Sequence, residues 1–123
     1  MMFIKHSEDY RPEDVPQSLY EAMGEFVGRS QKEGTFIDGA GLQPSARGHR
    51  VRLSKGKITV LDGPFTESKE IVGGYALIEA RSEEHALEIA REFMEIHRRH
   101  WPAFEGESEV RPLEREAGGP GEG

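Results

Sequence analysis

A chain of 123 residues fits one domain with a modest core, and its formal net charge of −7 argues against a nucleic-acid partner. It has no cysteine, which excludes disulfides, thiolate catalysis and cysteine-ligated zinc. The opening "MMFIKHSEDY" holds an apolar run too short for a signal peptide or a membrane span, so the expectation is a soluble, cytoplasmic protein without membrane contact.

Met2 to His6 reads as a strand, with Met2 and Ile4 on one face and Phe3 on the other. "SEDYRPEDVP" is a polar loop leading into a helix from Pro16 to Glu33. Leu19, Met23, Phe26 and Val27 give that helix its apolar spacing, and Gly34 stops it. Gly24 and Gly28 lie inside it, where each costs about 1 kcal/mol relative to Ala. Close approach of a backbone or a ligand would explain why they are tolerated. "TFIDGAGL" (35–42) is a second strand. "HRVRLSKGKITVLD" is a hairpin turning at Ser54-Lys55-Gly56-Lys57. "IVGGYALIEA" (71–80) is the strongest strand, and Gly73-Gly74 within it suits a bulge or close strand approach. Ser82 caps a second helix that runs to about Arg98, with Ala86, Leu87, Ala90, Phe93, Met94 and His97 on its apolar stripe. "ESEVRPL" (107–113) closes the fold. Residues 1–113 form one domain, and 114–123 form a polar, glycine-rich tail.

Strand, helix, strand, hairpin, strand, helix, strand is an α+β, ferredoxin-like split βαβ pattern with an inserted β-hairpin. Two helices cover one sheet face. Phe3, Phe36, Tyr75 and Leu77 put apolar groups on the parity opposite Ile4, Ile37 and Ile78, so the second face also needs cover. The simplest cover is another copy, which predicts a homodimer with its sheets face to face.

Several residues are candidates for chemistry. Asp62, in "TVLDGPFTESKE", admits two accounts. As a turn residue it bonds nearby amides while Phe65 anchors the loop. As a functional residue it faces a cleft beside Glu67, Lys69 and Glu70, which could tune it as a general base. Asp38 interrupts an apolar strand and, if buried, needs a partner such as Arg52 or His6. His6 shares the parity of Ile4, which would let it join Asp38 in one cleft. From Gly39 to Leu61 there is no acid, while Arg47, Arg50, Arg52, Lys55 and Lys57 all fall there. That basic segment suits either an anionic ligand or plain solvation. His97 and His100 have the spacing of metal ligands, but the helix ends there and no third ligand is evident, so no metal is expected. Trp101 and Phe104 are expected to pack against the domain or its partner. No phosphate loop, dinucleotide fingerprint or nucleophile elbow is present, and no cofactor is implied.

"GLQPS", "TVLDGPFTESKE", "GGYALIEA" and "ESEVRPL" resemble the DGPF subgroup of the YCII-related (YciI-like) domain family, over about residues 2–113. The resemblance implies a ferredoxin-like fold that dimerises as an α/β barrel. It also implies an association of some members with extracytoplasmic-function sigma factors, and a His-Asp pair in a cleft beside the sheet. Asp38 lies near the position of the acidic partner. The helix 16–33 holds no histidine, and Ala40 stands where the subgroup often has an acid.

The expected function is therefore a dimeric small-molecule binder. Its cleft would be lined by Asp38, Arg50, Arg52, Phe65, Glu67 and Lys69. If it is catalytic, Asp38 or Asp62 is the base, and Arg52 or Lys69 holds an anionic substrate group. The alternative is a non-catalytic module that docks on a protein such as a sigma factor; a structural oligomer without a ligand is a third reading.

Overall fold

Alternation sets the first element. In β1 (Met2–His6) Met2, Ile4 and His6 are buried, while Phe3 and Lys5 between them are half-buried on the other face. The computed structural model describes residues 1–8, 12–65 and 71–114. After a 3-10 turn at Pro12–Asp14 comes α1 (Gln17–Glu33), which buries Leu19, Phe26 and Ser30. Gly34 ends it in the left-handed region, its N–H donating to the carbonyl of Gln31. β2 (Phe36–Gly41) is followed by a short 3-10 turn at Ser45–Arg47. β3 (His49–Ser54) and β4 (Lys57–Asp62) form the hairpin, joined by Lys55 and Gly56, both at positive φ. β5 (Ile71–Ile78), α2 (Glu83–His100) and β6 (Gly106–Val110) complete the chain. Ser82 Oγ accepts the His85 N–H at 3.0 Å, so the expected cap of α2 is formed.

The main sheet runs β2-β5-β1-β6, antiparallel throughout, which is the ferredoxin-like order. The hairpin β3-β4 forms a separate two-stranded sheet. Met2, Ile4, Ala76 and Ala90 form the core, and Phe36, Ile78, Phe93, Phe104 and Val110 pack against it. Arg29 on α1 and Glu92 on α2 form an exposed ion pair at 2.6 Å that links the two helices.

Four expectations change. Phe36 lies on the helix-facing side of the sheet rather than with Phe3, and Ile37 is exposed. The register of β2 shifts between Phe36 and Asp38, and one extra residue in a strand reverses the parity that alternation assigns. Leu87 is exposed, so the buried stripe of α2 centres on Ala90 and His97. β6 stops at Val110, because Pro112 has no N–H to extend the ladder and biases Arg111 before it. Finally, a Cβ at Gly24 or Gly28 would meet nothing within 4 Å, so no close approach requires either glycine. Gly24→Ala and Gly28→Ala are each expected to raise unfolding free energy by about 0.5–1 kcal/mol in urea melts.

Candidate functional site

Between the helix-facing side of the sheet and the two helices lies a cavity of about 590 Å³. Its walls are mostly apolar, with Leu19, Phe26, Phe36 and Phe93 among them. Its polar side chains are few: Ser30, Gln31, Thr35, Tyr20, His6 and His97. No Asp, Glu, Lys or Arg among the described residues lines it. A concave apolar space with a few polar groups is the form that small-molecule sites take.

Two histidines from distant parts of the chain meet one end of this cavity. His6, at the end of β1, is buried; its Nδ1 donates to the Ser7 carbonyl at 2.6 Å, and its ring meets Phe104 edge-on at 5.7 Å. The ring lies over Gly73 on the neighbouring strand, where a Cβ would fall 2.0 Å from Nε2. Gly73 is the extra residue of the bulge opposite Ile4 and Lys5, so the double glycine serves the close approach that the sequence suggested. His97, in the last turn of α2, is also buried; its Nδ1 donates to the Phe93 carbonyl at 3.0 Å. Its ring packs against Phe93 and Phe104, each at 4.8 Å between centroids, and Trp101 packs on Phe104 at 5.2 Å. Trp101 and Phe104 therefore pack within the domain and also wall the cavity.

Burial holds the His97 pKa below the ordinary imidazole value, and the neighbouring charge of His6 adds to that; the Phe93 carbonyl opposes both. A buried neutral imidazole must gain a proton on unfolding in mild acid. Its contribution to stability is therefore complete above the unfolded value near 6.5 and is lost as pH falls through the lowered folded value. Urea melts from pH 7.5 down to pH 5 should show stability falling on the acid side, and less of that fall in His97→Phe.

The other sequence candidates lie outside this cavity. Asp38 is exposed and accepts the N–H of Gly39 at 2.9 Å. It pairs with Leu77 on β5, whereas His6 pairs with Ile71 on the same strand. Six residues of strand separate those positions, about 20 Å, so the structure does not bring His6 and Asp38 together. Asp62 turns neither into its own loop nor into the cavity. It crosses the hairpin to His49, Oδ1 to Nδ1 at 2.7 Å, and both side chains are exposed. Arg52 is exposed on β3 opposite Thr59. Glu67 and Lys69 fall outside the described residues.

Arg50 and Phe65 do converge, with the guanidinium carbon 3.9 Å from the ring centroid. With Arg47 and His49 they line a second hollow of about 580 Å³ at the base of the hairpin. Ser45 is the hub there. Its N–H and hydroxyl both donate to the Glu8 carboxylate, at 2.8 and 2.6 Å, and its Oγ accepts the Phe65 N–H at 2.9 Å. The Ser of "GLQPS" and the Phe of "DGPF" are thus one junction, tied to the loop after β1. Removing the Ser45 hydroxyl leaves a half-buried carboxylate and an amide short of a partner. Ser45→Ala is therefore expected to cost about 2 kcal/mol in chemical denaturation.

In the sequence His97 belongs at once to an apolar stripe and to a possible metal pair with His100. The stripe is the better signal, because a histidine on a core-facing register, together with His6 on the register of Ile4, marks two imidazoles that enter the same interior. Among the described residues no group of three His, Asp or Glu side chains is placed to hold a metal ion. No described helix is long and apolar enough to cross a membrane.

The YCII-related domain family matches residues 1–97. An uncharacterized protein of Rhizobium meliloti (strain 1021) is 39% identical over 74 residues, which is 60% of this chain and 56% of that protein. The alignment thus spans little more than half the length of that relative.

Proposed function

We propose that this chain, which belongs to the YCII-related domain family, binds a small, mostly apolar molecule in the cavity between its helices and its sheet. The observation that carries this reading is the composition of the walls: a cavity of about 590 Å³ is enclosed mostly by apolar and aromatic side chains, with two buried imidazoles and no charged side chain among the described residues. Asp38 and Asp62, exposed and bonded elsewhere, are poorly placed to act as a base on a molecule held there. An anionic ligand would be better served by the hollow under Arg47 and Arg50. The test is a thermal-shift screen of neutral apolar fragments against the wild type and against Met23→Trp, which puts bulk on the cavity wall. Hits should raise the melting temperature of the wild type by mass action and lose that effect in the variant. Equal shifts in both proteins, or no hit at all, would count against the cavity.

A homodimer accompanies this reading. The sheet face away from the helices carries Phe3 beside Tyr75, then Leu77 and exposed Ile37, with Lys5, Glu109 and Asp38 around them. Lys5 and Glu109 pair at 2.7 Å, which lowers the Glu109 pKa and neutralises those two charges on the face. A two-fold partner laid on that face would give the dimeric α/β barrel. Sedimentation equilibrium at micromolar concentration should return twice the chain mass; a monomer would remove the proposal.

One observation favours docking on a second protein. Val51, Leu53, Ile58 and Val60 share one face of the hairpin and are each 65–70% exposed. Four aliphatic side chains on a projecting arm, within the basic segment, suit a partner that is apolar and acidic, as a sigma factor surface could be. Val51→Lys together with Val60→Glu should leave fragment binding intact and abolish capture of such a partner.

A further inference from the structure

We propose that His6 and His97 recognise the hydroxyl of a neutral aromatic ligand, with Nε2 of His97 accepting its hydrogen bond. This rests on the cavity reading and names the ligand class. A carbonyl oxygen only accepts, so the bonds to Ser7 and Phe93 place a hydrogen on Nδ1 of each ring. In the neutral form that burial favours, Nε2 of His97 then carries a lone pair. No described residue bonds Nε2 of His97, although the ring is buried and lines the cavity. An acceptor in an apolar space discriminates strongly for a ligand that brings a donor, because a ligand without one leaves it unpaired. The surrounding rings of Phe93, Trp101 and Phe104 suit a flat apolar body.

Charge decides between a hydroxyl and a carboxylate. The titratable groups that line the cavity from the packed elements are His6 on β1, Tyr20 on α1 and His97 on α2; Tyr75 on β5 pairs with Phe3 toward the other sheet face. None is a fixed cation, so a carboxylate would have to bring a proton with it. Burial and the proximity of His6 keep His97 neutral instead, in the form that accepts from a hydroxyl.

The experiment is a fluorescence titration with 2-naphthol, naphthalene and 2-naphthoate at pH 7.5 and pH 5.5. The wild type should bind 2-naphthol at least tenfold more tightly than naphthalene at pH 7.5, and that preference should shrink toward pH 5.5 as His97 begins to gain a proton. His97→Phe should bind the two neutral compounds alike; His6→Phe serves as a second variant should the first fail to fold. Equal affinity of the wild type for 2-naphthol and naphthalene would overturn hydroxyl recognition and leave the cavity reading standing. Tighter binding of 2-naphthoate than of 2-naphthol, growing toward pH 5.5, would overturn it in favour of a carboxylate. Failure of all three compounds to bind would overturn both readings.

Discussion

Gly63→Ala is expected to lower unfolding free energy by about 3 kcal/mol, at the upper end for overpacking a tight site. A Cβ at this position would fall 1.7 Å from the carbonyl oxygen of Ser45 and 2.7 Å from its carbon. Both are backbone atoms, and Ser45 is held by its two bonds to Glu8, so neither can give way cheaply. The Gly63 N–H also donates to the Gly48 carbonyl at 2.9 Å, which closes the base of the hairpin. The methyl group therefore separates the hairpin from the junction that anchors it. Urea denaturation should show the loss in midpoint, and hydrogen exchange should show it concentrated in 45–63 with β1 and β5 still protected. Wild-type stability in Gly63→Ala would contradict close packing of Gly63 against Ser45.

Gly73→Ala is expected to act on the cavity instead. The added methyl would fall 2.0 Å from His6 Nε2 and within about 3 Å of two more ring atoms. The ring has Phe104 on one side, so it must leave its place over β5 and give up its bond to Ser7. A stability loss of about 2 kcal/mol should follow, together with at least a tenfold loss of fragment binding. Gly74→Ala is the control. Its Cβ would come no closer than 3.2 Å, to the carbonyl of Ala40, and His6 is untouched. Binding that survives Gly73→Ala while the His6 ring resonances move would show that His6 takes no part in the site.

Much of the fold was legible because its elements announce themselves locally. Alternation placed β1, β5 and the hairpin; 3.6-residue spacing and end signals placed α1 and α2. What alternation cannot show is a register shift, and the one in β2 moved Phe36 to the helix side of the sheet. The site was less legible. Asp38 and Asp62 stood out because acids in strands are unusual, but an acid at a sheet edge or on a hairpin can simply face water. Asp62 pairs with His49 because an even-numbered hairpin register set them opposite, and that depends on the turn at Lys55-Gly56. Arg50 and Phe65 were both named from sequence, though their contact depends on the path of the loop between β4 and β5. His6 and His97 were each seen on a core-facing register. Their meeting is a consequence of packing α2 across β1, which nothing local to either segment encodes.

The ligand site proposed is the interior cavity with its two imidazoles, and not the basic exterior around the hairpin. Long-range ¹H–¹⁵N spectra of the histidine rings during a 2-naphthol titration distinguish the two, since His6 and His97 report on the interior and His49 reports on the hairpin. Nε2 of His97 should shift on binding, both interior rings should keep the hydrogen on Nδ1, and the His49 signals should stay where they are. A titration in which His49 responds while His6 and His97 do not would contradict it.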